Sequence, residues 1–74
     1  MNLTKREKEI LIFIIEGKTY REIASDLFVS INTVLTHRKN IKFKLGVKSS
    51  AGIVREAINQ GYYKFTRYKR VTPL

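Results

Sequence analysis

YREIASDLFVSINTVLTHRK, residues 20–39, is the stretch on which the fold turns. Thr19-Tyr20-Arg21-Glu22 opens it as a capping box: the Thr19 hydroxyl can accept from the backbone N–H of Glu22, and Glu22 can reach back to the N–H of Thr19. A short helix over about 20–27 follows, with Ile23, Ala24 and Leu27 facing inward. Ala24 is small enough to let another helix approach closely. Phe28-Val29 is a tight link, and Ser30 can cap a longer helix over about 31–45. At 100° per residue, Val34, Ile41 and Leu45 fall on one stripe with the stem of Arg38 beside them. Asn32, Thr36, Lys39 and Phe43 fall on the opposite face, with Leu35 and Lys42 on its flank. A short helix, a tight link and a longer helix with a polar, basic outer face make a helix-turn-helix.

Working outward, Thr4-Lys5-Arg6-Glu7 repeats the capping box and opens a helix over about 5–16, with Leu3 placed as a hydrophobic staple. Ile10, Leu11, Ile14 and Ile15 lie on one side of it, Ile12 reads as a half-buried surface residue, and Gly17 can end it in a left-handed cap. Gly46 ends the third helix. Ser49 or Ser50 can cap a fourth over about 50–60, which Gly61 ends. That helix carries two apolar stripes, Ala51/Val54/Ile58 and Ile53/Ala57, and a core this small cannot take both. One is a candidate dimer face, so Ala51, Ile53, Val54, Ala57 and Ile58 are the candidate interface residues. The expectation is an all-α fold: a four-helix bundle with a helix-turn-helix, one domain over 1–61 and a basic aromatic tail over 62–74, irregular or briefly extended. Tyr62, Tyr63 or Phe65 of the tail could cover Phe43.

Composition narrows the function classes. Seventy-four residues allow one domain with a modest core. There is no cysteine and a lone His37, so neither a disulfide nor a metal site is expected. The apolar run Ile10 to Ile15 is far short of the ~20 residues a membrane helix needs, and no export signal is evident, which makes the cytoplasm the expected compartment. The net charge is +9, and its placement is uneven. Residues 1–29 hold five basic and five acidic residues, whereas 30–74 hold ten basic residues and only Glu56. A one-sided positive field suits a polyanion. No Ser–His–Asp set, glycine-rich phosphate loop or pair of carboxylates in an apolar stretch is present, so no enzyme and no cofactor is expected.

The helix-turn-helix supplies a geometric mechanism instead. Its second helix is narrow enough for the major groove of B-DNA, where all four base pairs are distinguishable. Asn32, Leu35, Thr36 and Lys39 lie where base edges would be met; Thr36 and Leu35 offer methyl groups to a thymine. Ser30, Thr33, His37 and Asn40 lie on the flank between core and groove, where contacts to phosphate position the protein. The free N–H groups at the start of the helix, Arg21 and Lys18 are further phosphate candidates. Arg38 completes the DNA-binding set, and replacing Lys44 should weaken all sites more evenly, if it touches anything.

These residues carry a resemblance. Leu3-Thr4-x-Arg6-Glu7, Gly17-Lys18-Thr19-Tyr20-Arg21-Glu22-Ile23-Ala24, Leu27-x-Val29-Ser30-x-x-Thr33-Val34 and Thr36-His37-Arg38-x-Asn40-Ile41-x-x-Lys44-Leu45-Gly46-Val47 together resemble the LuxR-type (GerE/NarL-like) helix-turn-helix over about residues 3–60. The family includes effector domains of two-component response regulators and quorum-sensing regulators. The resemblance implies a bacterial, DNA-binding transcription regulator with four helices, the third as reader. It further implies a homodimer formed through the fourth helix on two half-sites. By position it places base and phosphate contacts on Leu35, Thr36 and Lys39, with Thr33 on the backbone. Double-stranded DNA is the expected partner and RNA polymerase a further one; neither a membrane nor a small-molecule ligand is expected. Leu35 departs from the Lys or Arg common in the family, Phe43 from a polar or basic residue, Lys42 from an apolar one and Ile12 from a polar one. The alternative is a stand-alone dimerisation partner that modulates a related regulator by protein–protein contact.

Overall fold

A computed structural model describes residues 2–63. Four helices follow one another: α1 (Lys5–Ile15), α2 (Tyr20–Leu27), α3 (Ile31–Leu45) and α4 (Ser50–Asn59). The expected boundaries hold to within a residue, since Glu16 and Gln60 are cap residues rather than helical ones.

Both capping boxes form. Glu7 N–H donates to Thr4 Oγ1 at 3.1 Å while Thr4 N–H donates to Glu7 Oε1 at 2.9 Å. Glu22 and Thr19 repeat the exchange at 3.1 and 2.8 Å. Ser30 caps α3 by accepting from Thr33 N–H at 3.0 Å, and Ser49 rather than Ser50 caps α4, accepting from Gly52 N–H at 3.1 Å. All four helices also end alike, in the paired 6→1 and 5→2 bonds of a Schellman motif. The 6→1 bonds run from Lys18 N–H to Phe13 O, Val29 to Ala24, Val47 to Lys42 and Tyr62 to Ala57. Three of the residues at the turning point are Gly17, Gly46 and Gly61 at positive φ; the fourth is Phe28, at φ 57°.

The core is Leu3, Ile10, Leu11, Ile23, Ala24, Val34, Ile41, Leu45, Ile53 and Ala57, all buried. It sits between α1, α2 and α4 and the inner stripe of α3, which touches each of the other helices. Ile14, Ile15 and Leu27 are only partly buried at its edge. Ile12 is half-buried and stands apart from this cluster, as its position suggests. At the start of α4, Gly52 is buried against the loop before it, and a Cβ there would fall 2.9 Å from Val47 Cβ.

The two ends of the described segment are tied together. Leu3 N–H donates to the Tyr62 hydroxyl at 3.4 Å, and Lys8 Nζ lies 5.9 Å from the centre of the Tyr62 ring. Tyr62 and Tyr63 therefore pack on the core rather than over Phe43, which is 73% exposed. The remainder of the expected tail, including Phe65, lies outside the described residues. No helix among the described residues is long and apolar enough to cross a membrane.

Candidate nucleic-acid interface

The helix-turn-helix is α2, the turn 28–30 and α3. Apolar packing fixes α3 along its Val34/Ile41/Leu45 stripe, and two polar brackets fix it sideways. In the first, Arg38 Nη2 donates to Ser50 Oγ at 3.0 Å while its guanidinium lies 5.5 Å from the centre of the Tyr20 ring. One side chain thus joins the first residues of α2 and α4 to the middle of α3. In the second, Lys44 Nζ donates to Glu7 Oε1 at 2.8 Å, linking the last turn of α3 to the first turn of α1. Burial pushes the Glu7 carboxyl up, but the hydrogen bonds from Lys44 and Thr4 outweigh it and hold it below the ordinary value.

Held on three sides, α3 turns its fourth face to solvent. Asn32, Leu35, Thr36 and Lys39 are exposed there together, with Phe43 further along the helix. Asn40 is exposed on the flank, and Thr33 and His37 are half-buried. Ser30 and Thr33 hold each other, with Oγ and Oγ1 2.9 Å apart, which orders the first turn of α3. Arg21 is exposed in the first turn of α2. The sequence from residue 27 to 55 contains no Asp or Glu, so α3 and the loop after it carry positive charge alone.

Several positions named from the sequence meet partners within the protein in this geometry. Arg38 is drawn off the outward face: it lies one turn after Val34, too near the core stripe to point outward, and its head is engaged by Ser50 and Tyr20. Lys44 is turned to Glu7, with its side chain only 20% exposed. Ile53 and Ala57 are fully buried in the core, which removes them from any partner-facing surface. The outer stripe of α4 is Ala51, Val54 and Ile58, with Ile58 44% exposed. Lys18, another phosphate candidate, donates to Asp26 Oδ2 at 2.8 Å and lies over Phe13, 5.2 Å from its ring centre.

Both brackets escaped the reading of the sequence. Glu7 and Lys44 are 37 residues apart, and Arg38 and Tyr20 belong to different helices, so no local spacing announces them. The available hint was a basic residue beside a core stripe, which needs a partner if its stem is buried.

The comparisons with known proteins agree with this geometry. The family described as bacterial regulatory proteins, luxR family, matches residues 1–57. The chain is similar to the spore germination protein GerE of Bacillus subtilis, with 46% identity over 59 residues, covering 80% of each chain. It is equally similar to the transcriptional regulatory protein MctR of Rhizobium johnstonii, with 46% identity over 59 residues, but there it spans only 28% of that protein. Among known structures, the response regulator ChrA of a heme-sensing two-component system superposes with a TM-score of 0.81 at 36% identity, over 85% of this chain and 31% of that one. The Vibrio cholera VqmA–ligand–DNA complex superposes with a TM-score of 0.80 at 29% identity, over 89% of this chain and 29% of that one. With residues 1–57, more than half of its length, matched by the family, this chain belongs to the luxR family of bacterial regulatory proteins.

Proposed function

We propose that this chain is the DNA-reading unit of a bacterial transcription regulator, acting in the cytoplasm as a homodimer on two half-sites and catalysing no reaction. α3 enters the major groove. Asn32, Leu35, Thr36 and Lys39 meet base edges; Ser30, Thr33, His37 and Arg21 meet phosphates. The observation that carries the reading is the contrast within α3. Arg38 and Lys44 are engaged by the protein itself, while Asn32, Thr36 and Lys39 stand together in solvent on a helix without carboxylates. A rigid helix with an uncommitted polar face matches the donor and acceptor pattern of the groove. Copies would pair through Ala51, Val54 and Ile58, and RNA polymerase would be a further partner if the regulator activates.

Selection of bound sites from random DNA tests this reading. The expected outcome is a repeated half-site with centres about one helical turn, 34–36 Å, apart. Affinity should fall steeply with added salt as phosphate counterions are released. Lys39→Ala should flatten the preference at one base position. A chain that dimerises yet selects no site would instead be a stand-alone dimerisation partner of a related regulator.

A further inference from the structure

We propose that Phe43 is a specificity residue that reads a thymine methyl at the edge of the half-site, extending the reading stripe of α3 by one more position. The inference rests on the groove-reading assignment above. Phe43 is 73% exposed, and Tyr62 and Tyr63, the described residues of the tail, pack on the core instead. A lone exposed apolar side chain needs no explanation. Here, however, Leu35 and Ile31 on the same helix are also exposed, at 40% and 36%. Three of the five exposed large apolar side chains among the described residues thus belong to α3, the helix whose other outward groups, Asn32, Thr36 and Lys39, are polar.

Position along the helix argues for DNA as the occupant. Phe43 follows Thr36 by seven residues, so the two lie within about 20° of each other around the axis. It follows Lys39 by four residues, about 6 Å along the axis. Long side chains on a helix lean toward its N-terminus, which brings the ring back over the turn that holds Lys39 and Asn40. The ring therefore reaches about one to two base pairs beyond the Lys39 contact, at the 3.4 Å spacing of bases along a strand. The apolar group that the major groove offers there is the 5-methyl of thymine, and Phe is among the side chains that contact it. The surroundings favour the same occupant. Lys39 is exposed one turn before Phe43, Lys42 stands beside it with its ammonium 3.5 Å from Lys48 O, and no carboxylate lies between residues 27 and 55 to repel phosphate.

The test compares the full chain with Phe43→Ala by selection of bound sites, then by affinity for the selected site with uracil in place of the outermost thymine. That replacement removes only the methyl group. The expected result is a thymine preference at the half-site edge that Phe43→Ala erases, leaving the other positions unchanged. Uracil there should weaken the wild type about fourfold, the worth of one buried methyl, and leave Phe43→Ala unaffected. The variant should keep the wild-type melting temperature. An identical site preference in both proteins, an equal uracil effect in both, or a melting temperature lowered by several degrees would overturn the inference; the last would mean that the ring is packed within the protein. If neither protein selects any site, the DNA reading itself fails and this inference with it.

Discussion

Glu7→Ala should cost this domain a large part of its stability, although Glu7 lies on the helix farthest in sequence from the reading face. The side chain has two tasks. It completes the capping box of α1, and it accepts from Lys44 at 2.8 Å while itself only 5% exposed. Thr4 still caps the backbone N–H of residue 7, but its own N–H loses its acceptor, which costs up to about 1 kcal/mol. Losing a hydrogen bond between charged groups costs about 1.5–3 kcal/mol, and the lower end applies because Lys44 is 20% exposed and can turn toward water. The sum is about 2–3 kcal/mol, against a total of about 4–11 kcal/mol for a domain of this size. Thermal unfolding followed by circular dichroism should show a midpoint about 10–20 °C lower. Glu7→Gln retains an acceptor for the cap and should lose about half as much. The folded-state pKa of Glu7 lies below its ordinary value of 4.5, so its contribution is complete above that value and is lost as pH falls through the folded one. The gap between wild type and Glu7→Gln should therefore shrink on acidification from about pH 7 to about pH 3. A double-mutant cycle with Lys44→Met should give a coupling of about 1–2 kcal/mol. Equal midpoints, a coupling near zero, or a gap that widens in acid would refute the reasoning.

Three further outcomes follow from particular positions. Phe28 occupies a left-handed turn at φ 57° and is 94% exposed, so Phe28→Gly removes backbone strain without removing packing and should raise stability by about 0.5–1 kcal/mol in urea titrations. Gly52→Ala should lower it by about 1–2 kcal/mol despite the better helix propensity of alanine, because the new Cβ would meet Val47 Cβ at 2.9 Å; a stabilised variant would show that the loop yields freely. Ile58→Lys should leave the melting of the monomer within about 0.5 kcal/mol of wild type, as surface changes usually do, while shifting sedimentation toward monomer and weakening binding to paired half-sites far more than to a single one.

What the sequence discloses about this domain is chiefly what neighbouring residues decide. The Thr4–Glu7 and Thr19–Glu22 boxes, the Ser30 cap and the glycines after α1, α3 and α4 involve groups a few residues apart, and each forms as its spacing predicts. The core stripe of α3 was equally legible, because one periodicity fixes Val34, Ile41 and Leu45 together. The choice between the two stripes of α4 was not. It depends on how α4 lies against α1 and α3, and the burial of Ile53 and Ala57 settles it in a way that no spacing within the helix could. The same distinction runs through the candidate site. Helical spacing set Lys39 outward and the Arg38 stem beside the core stripe, yet the expected DNA contacts held both, with Lys44 as a conditional addition. What engages each is a tertiary fact: Tyr20 and Ser50 claim Arg38, Glu7 claims Lys44, and Lys39 is left in solvent with Asn32 and Thr36. A basic helix is thereby divided between residues that hold it in place and residues that face outward. The division has a consequence for mutagenesis. Replacing Arg38 should weaken binding to every site by loosening the helix, whereas replacing Lys39 should change which site is chosen, although the two residues are adjacent in the chain.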